Sequence, residues 1–362
     1  MAKTKKPTLP AKVKESDIEG QLLWDVASMI EQSRQYVAQT VNSTLSLLYW
    51  RIGKRIGEET LLSKRAGYGE RIVASLAREL AAEYGNGFSE KSIRRMIQFA
   101  DVFPDQEIVA PAMRQLSWTH FTLLIPLKQP LQREFYTEMC RVEKWSVRTL
   151  RNKIDSMLYE RTAISKKPGH LIKQELKTLR EDNKLTPDLV FRDPYFLDFL
   201  GLKNSFNEKH LEDAILRELE SFILELGQGF TFVERQKRMI IDGEDFKLDL
   251  LFYHRKLKRL VAIELKLGKF KAAYKSQMEL YLRWLEKNEV QAGEESPIGL
   301  ILCAEGNKEQ VELLELGKAG IKIAEYMTEL PDKKLLENKL HQAMEISKKH
   351  LENNSEVETS RK

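Results

Sequence analysis

Apolar residues in the first part of the chain recur at helical spacing rather than in alternation. Leu22–Ile30 and Leu45–Ile56 show it, and so does Ile72–Leu80, where Ile72, Leu76 and Leu80 mark one face. The run Tyr84-Gly85-Asn86-Gly87-Phe88-Ser89 then breaks the pattern with residues that accept positive φ. Ser89 is placed to cap a further helix over Glu90–Phe103, which Pro104 helps to end. Helix, glycine-bearing turn, helix is the outline of a helix-turn-helix. The second helix carries Lys91, Arg94 and Arg95, suited to a phosphate backbone or major groove, although a solvated basic face on a plain hairpin reads equally well. More helix is predicted through Leu116–Leu127, Arg133–Cys140 and Ser146–Arg161, with Trp118, Phe121, Phe135, Tyr136 and Trp145 as core aromatics. Polar residues around Ser165–His170, with Pro168-Gly169, suggest a domain boundary. Leu171–Thr186 reads as helix, and Asp193-Pro194-Tyr195 starts a compact element ending near Leu202.

From about Ser205 the pattern changes. Leu211–Leu226 is an amphipathic helix stopped by Gly227 and Gly229. Strands are predicted at Phe230–Ile241, Phe246–Tyr253 and Leu260–Leu267, the first two joined by the hairpin turn Asp242-Gly243-Glu244-Asp245. A helix over Ala272–Lys287, a strand at Ile298–Cys303, a helix from Lys308 to Lys318, a strand at Ile321–Tyr326 and a helix after Pro331 complete the order. The expected organisation is a basic disordered arm (1–18), an all-helical domain (19–165), connecting elements (166–204), an α/β domain whose first three strands form a meander (205–345), and a polar tail (346–362).

Composition narrows this little. The net charge of +5 permits contact with phosphates without requiring it. The chain has no apolar run near the ~20 residues of a membrane helix and no secretory signal, so a cytoplasmic protein without a membrane partner is expected. Cys140 and Cys303 read as buried free thiols. His120 and His254 read as packing and solvent residues, and neither a P-loop nor a zinc constellation is present.

The chemistry-bearing residues lie on the predicted strands. Side chains alternate along a strand, so Glu264 and Lys266 share one face, and Asp249 is presented from the neighbouring strand ~4.8 Å away. Two carboxylates that close repel unless a cation neutralises them, and hard oxygen ligands suit Mg²⁺ or Mn²⁺. An isolated E-x-K is usually a surface pair. The segments LDLLFY and LVAIELKL, however, are too apolar for strands facing water, so charges within them are costly without a purpose. Glu212 lies on the apolar stripe of Leu211–Leu226 and is a candidate further acid, with a boundary surface acid as the alternative.

Asp249, followed after fourteen residues by Glu264-Leu265-Lys266, resembles the signature of the PD-(D/E)xK nuclease superfamily. The resemblance implies a restriction-endonuclease-like αβββαβ core. It also implies a divalent metal held by Asp249, Glu264 and the Leu265 main-chain carbonyl, with Lys266 as the catalytic lysine. Leu248 stands where the name-giving proline would be. Gln277 and Tyr281 match a Q-x-x-x-Y element and are candidates for substrate contact, with core packing as the alternative for Tyr281. The strings LSWTHFTLL, WSVRTLRNKIDSMLYER, DPYFLDFLGL and ELGQGFTFVERQ further resemble the YhcG-type bacterial nuclease family, over roughly residues 20–345. That implies a nuclease acting on DNA. An RNA-directed nuclease and a non-catalytic nucleic-acid-binding module on the same fold remain open, and cutting both strands implies a homo-oligomer.

Overall fold

The computed structural model describes residues 15–62, 66–202, 206–306, 313–314 and 316–360. They form two compact units, divided between Lys128 and Gln129.

The first unit is helical: α1 (Glu15–Leu62), α2 (Ala66–Tyr84), α3 (Glu90–Val102), α4 (Gln106–Met113) and α5 (Trp118–Leu124). The two N-terminal segments expected as separate helices, together with residues 15–18 of the expected arm, are one continuous helix. Ser46, Trp50, Gly53 and Ile56 of its second half face the core. Trp50 donates to the Phe103 carbonyl at 2.8 Å, and Ile56 packs with Val73, Ala77 and Ile93. Gly53 lets α1 and α3 touch backbone to backbone, since a Cβ there would stand 1.8 Å from the Met96 carbonyl oxygen. Gly53→Ala is therefore expected to destabilise this unit by about 1–3 kcal/mol, the usual cost of overpacking, read as a lowered thermal midpoint. The α2–turn–α3 outline is present. Ser89 occupies the N-cap, but its hydroxyl meets Ser92 Oγ at 3.1 Å instead of the helix backbone.

The second unit begins with α6 (Pro130–Glu143), α7 (Val147–Asp155), α8 (Leu158–Arg161), α9 (Gly169–Asp182) and α10 (Pro187–Val190). After these come β1 (Tyr195–Phe196), α11 (Glu208–Arg217), α12 (Leu219–Leu226), β2 (Phe230–Ile241), β3 (Glu244–His254) and β4 (Arg259–Lys269). It ends with α13 (Ala273–Asn288), β5 (Ile298–Glu305), β6 (Ile321–Met327) and α14 (Lys333–Ser360). The sheet is six-stranded in the order β1-β6-β5-β4-β3-β2. The antiparallel meander β2–β3–β4 continues into parallel β5 and β6. Asp242 and Gly243, both at positive φ, make the tight turn between β2 and β3.

Three expectations are corrected here. The division into compact units falls upstream of residue 165, because α6–α9 pack with the sheet: buried Arg161 of α8 pairs with Glu225 of α12 at 2.5 Å. Residues 166–204 do not merely connect, since β1 pairs with β6 and the Asp193 carboxylate accepts from the Glu325 amide at 2.8 Å. Leu211–Leu226 is two helices, broken at Glu218 (φ −104°, ψ 34°). The helical backbone of α14 runs through Ser360, past the start of the expected polar tail, in a sequence rich in helix-forming Lys and Glu. The helix expected from Lys308 lies largely outside the described residues.

Cys140 and Cys303 are buried free thiols. His254 ends β3 rather than facing solvent: it is fully buried, its Nδ1 accepts from the Leu257 amide at 3.1 Å, and burial pushes its pKa down to about 4.

Candidate active site

The meander brings the acids together. Leu251 pairs with Ala262 across β3 and β4, so by alternation Asp249 and Glu264 emerge on that same face, which α13 covers with Met278, Tyr281 and Leu282. The Asp249 amide donates to Glu264 Oε1 at 3.3 Å, and the Leu265 amide donates to Asp249 Oδ2 at 2.9 Å. Each acid is thus held by the other's strand. Lys266 Nζ lies 2.8 Å from Glu264 Oε2 and 5.4 Å from the centre of the Tyr274 ring.

Glu212 of α11 joins them through a residue that the sequence reading passed over. Gln236 of β2 donates from Nε2 to Glu212 Oε2 at 2.9 Å and to Asp249 Oδ1 at 3.3 Å. The register pairs Arg235 with Leu250 and Lys237 with Leu248, which leaves Gln236 facing Asp249. Its backbone is left-handed there, at φ +48°. A non-glycine residue in that region inside a strand costs of order 1–3 kcal/mol and persists only where its surroundings hold it. The amide bridge between two carboxylates is what that backbone turn secures.

The electrostatics follow from burial. Glu264 is 3% exposed, and burial with the neighbouring Asp249 charge pushes its pKa up to about 7 against the pull of Lys266. Burial also raises Asp249, partly offset by the Leu265 amide and Lys266. Glu212 is raised by burial and by Asp249. Burial alone would lower Lys266, but Glu264 and Asp249 outweigh it and keep the ammonium charged. Asp249, Glu264 and Glu212 therefore lie near one another, with Glu208 also acting on Asp249, against the positive charges of Lys266 and, beside Glu212, Arg235.

Carboxylate oxygens are hard donors and fit a divalent cation. Among the described residues no group of three ligating side chains stands within metal-binding reach. Asp249 and Glu264 would therefore supply the protein's anionic ligands, leaving other positions to water and phosphate, as is usual for Mg²⁺.

The other expected site residues divide. Tyr281 is buried, accepting from Gln277 Nε2 at 2.6 Å and donating to the Lys247 carbonyl at 3.3 Å. Its hydroxyl is committed to pinning α13 on β3, which corrects its expected contact with substrate. Gln277 is half-buried beside it. In the first unit Lys91 is exposed, Arg95 is half-buried, and Arg94 is held by Glu90 at 2.7 Å.

Comparison with known proteins matches residues 25–161 to the DUF1016 N-terminal domain and residues 188–341 to the YhcG PDDEXK nuclease domain. The nuclease candidate YhcG of Escherichia coli (strain K12) is 32% identical over 346 residues, covering 87% of this chain and 92% of that protein. Among solved structures, a repair endonuclease from Pyrococcus abyssi aligns at 25% identity and TM-score 0.25, covering 36% of this chain and 50% of that one. EndoMS in complex with double-stranded DNA aligns at 18% identity and TM-score 0.26, covering 36% of this chain and 49% of that one. The chain spans about half the length of these structures. With both domains matched in order and a relative covered almost end to end, the chain belongs to the YhcG family of PDDEXK nucleases.

Proposed function

We propose that this protein is a Mg²⁺-dependent deoxyribonuclease of the cytoplasm, acting as a homo-oligomer and using Asp249, Glu264 and Lys266 for phosphodiester hydrolysis. The observation that carries this reading is the meeting of buried Glu264 with half-buried Asp249 on adjacent strands, with an ammonium 2.8 Å from Glu264. When bound, Mg²⁺ (or Mn²⁺) supplies Lewis acidity toward the phosphate and lowers the pKa of water. Asp249, Glu264 and the Leu265 carbonyl would hold it, and Glu212 would assist from α11. Lys266 brings fixed positive charge to where a phosphate oxygen gains negative charge. Gln236 keeps Glu212 and Asp249 side by side, and Gln277 is the α13 residue offered for substrate contact. Lys91 and Arg95, with Arg94 once released from Glu90, are the proposed phosphate contacts of the helical unit. Among the described residues no helix is long and apolar enough to cross a membrane.

The test is cleavage of supercoiled plasmid, linear duplex and single-stranded RNA by purified protein, with Mg²⁺ and with chelator. Mg²⁺-dependent loss of DNA is expected. RNA cut in preference to DNA, or DNA cut equally well in chelator, would refute the reading.

The pH dependence has a defined sign. The raised pKa of Glu264 means that folding favours its neutral form, so its stabilising contribution is present below pH ~4.5 and is lost as pH rises through about 7. A divalent ion binds the ionised form, so Mg²⁺ affinity should move the opposite way. It is expected to strengthen roughly tenfold between pH 6 and pH 8, by titration calorimetry. A flat profile would show that Glu264 is not a ligand.

A further inference from the structure

Helix α1 carries two apolar faces, and the fold of its own unit uses one. Ser46, Trp50 and Ile56 are buried. Leu23, Val26, Ile30, Val37, Val41, Leu45 and Leu48 are exposed, at 39% to 71%. At 100° per residue these seven fall in a band about 100° wide, roughly opposite Ser46 and Trp50. A monomer seldom leaves a continuous apolar stripe of this size to water.

The spacing of the stripe identifies its occupant. Counting Arg34, which sits on the stripe, the positions step by 3, 4, 4, 3, 4, 4 and 3 from Leu23 to Leu48. That order reads the same in both directions. If the helix is laid antiparallel on a copy of itself, Leu23 meets Leu48, Val26 meets Leu45, Ile30 meets Val41, and Arg34 meets Val37. Each contact then occurs twice about a two-fold axis between residues 35 and 36. A two-fold interface requires such self-complementarity, and an unrelated partner would have no need of it. The repeat of Leu23-Val26-Ile30 as Arg34-Val37-Val41 has an 11-residue period, which keeps a straight or slightly right-handed pair in register. The uncovered apolar side chains amount to roughly 600 Å² per chain, so a pair buries on the order of 1,200 Å², where specific interfaces begin. Arg34, near the axis, can lay its stem on Val37 of the partner and carry its charge to the rim. A polar residue at such a position fixes register at some cost in stability.

We propose that α1 pairs antiparallel with α1 of a second copy of this chain through this stripe, making the protein a two-fold dimer. The inference gives the homo-oligomer proposed above a stoichiometry and an interface, and does not depend on the nuclease chemistry. Sedimentation velocity on the full chain at micromolar concentration is expected to give a dimer. Ile30→Glu with Val37→Glu should give a folded monomer, checked by circular dichroism, while Gln32→Glu on the opposite face should leave the dimer intact. Mild oxidation should join two chains of a Val26→Cys/Leu45→Cys variant. Those two positions lie ~28 Å apart along one helix, so the bond cannot close within a chain. Each single cysteine variant should stay unlinked, with native Cys140 and Cys303 buried. A monomeric wild type, a dimer indifferent to the glutamates, or cross-linking of the single variants through a parallel register would each overturn the proposal.

Discussion

Glu264→Gln is expected to lower Mg²⁺-supported DNA cleavage by roughly 10³-fold or more while leaving the metal-free protein at least as stable as the wild type. The two effects have one cause. Glu264 is nearly dry, with a pKa pushed up to about 7 by burial and Asp249, so its ionised form disfavours the folded state at neutral pH. The amide fills the same volume, needs no desolvation of charge, and with its oxygen turned to Lys266 gives up only the longer bond from the Asp249 amide. It offers a cation a weaker donor, so the Mg²⁺-induced rise in thermal midpoint should shrink with the activity. Lys266→Met separates ligand from electrostatic helper. Its ammonium binds no cation, so the Mg²⁺-induced rise should persist while single-turnover cleavage falls by roughly 10²–10³-fold, the scale for removing a positioned charge donor. An active Glu264→Gln enzyme would remove this residue from the mechanism. A Lys266→Met enzyme that no longer responds to Mg²⁺ would mean that Lys266 holds the site open rather than acting on the phosphate.

The convergence of Asp249, Glu264 and Lys266 was legible in the sequence because it needs only period-two alternation and neighbouring strands, both set by LDLLFY and LVAIELKL. Gln236 was not, because its place in the site depends on a left-handed backbone turn inside β2, and glutamine carries no local signal for one. Tyr281 was readable either way from its helical spacing. Only its burial and its hydrogen bond to the Lys247 carbonyl decide for packing. Helix α1 looked like two segments because its apolar residues change face along its length, outward-facing through Leu48 and core-facing at Trp50 and Ile56. The break at Glu218 had no proline or glycine to announce it. The packing of α8 on the sheet unit was not legible either: the charged residues that bind it there have the composition of a surface, and sequence does not distinguish a buried arginine from a solvated one.

Those buried charges set the largest expected effect on stability. Glu225→Ala should lower the melting midpoint of the sheet unit by roughly 10 °C, corresponding to about 3–5 kcal/mol. Glu225 is the anion for two arginines: Oε1 lies 2.5 Å from Arg161 and Oε2 lies 3.0 Å from Arg192, while Oε1 also accepts from the Phe196 amide at 2.9 Å. The Arg161 guanidinium is 1% exposed and sits 3.7 Å from the centre of the Phe196 ring. Removing the carboxylate leaves two cations out of water with only carbonyls and a ring for partners. That cost greatly exceeds the loss of an exposed pair, so Asp245→Ala, which breaks the solvent-facing Arg238–Asp245 pair, should scarcely move the midpoint. Burial alone would raise the Glu225 pKa, but Arg192 and Arg161 outweigh it and hold it below the ordinary carboxylate range. Its contribution is therefore present above that range and lost as pH falls, so the gap between wild type and Glu225→Ala should close toward acid. Glu225→Gln keeps a hydrogen-bond acceptor without the charge and should fall between the two. If Glu225→Ala melts like the wild type at neutral pH, the attachment of α8 to the sheet must rest on apolar packing instead.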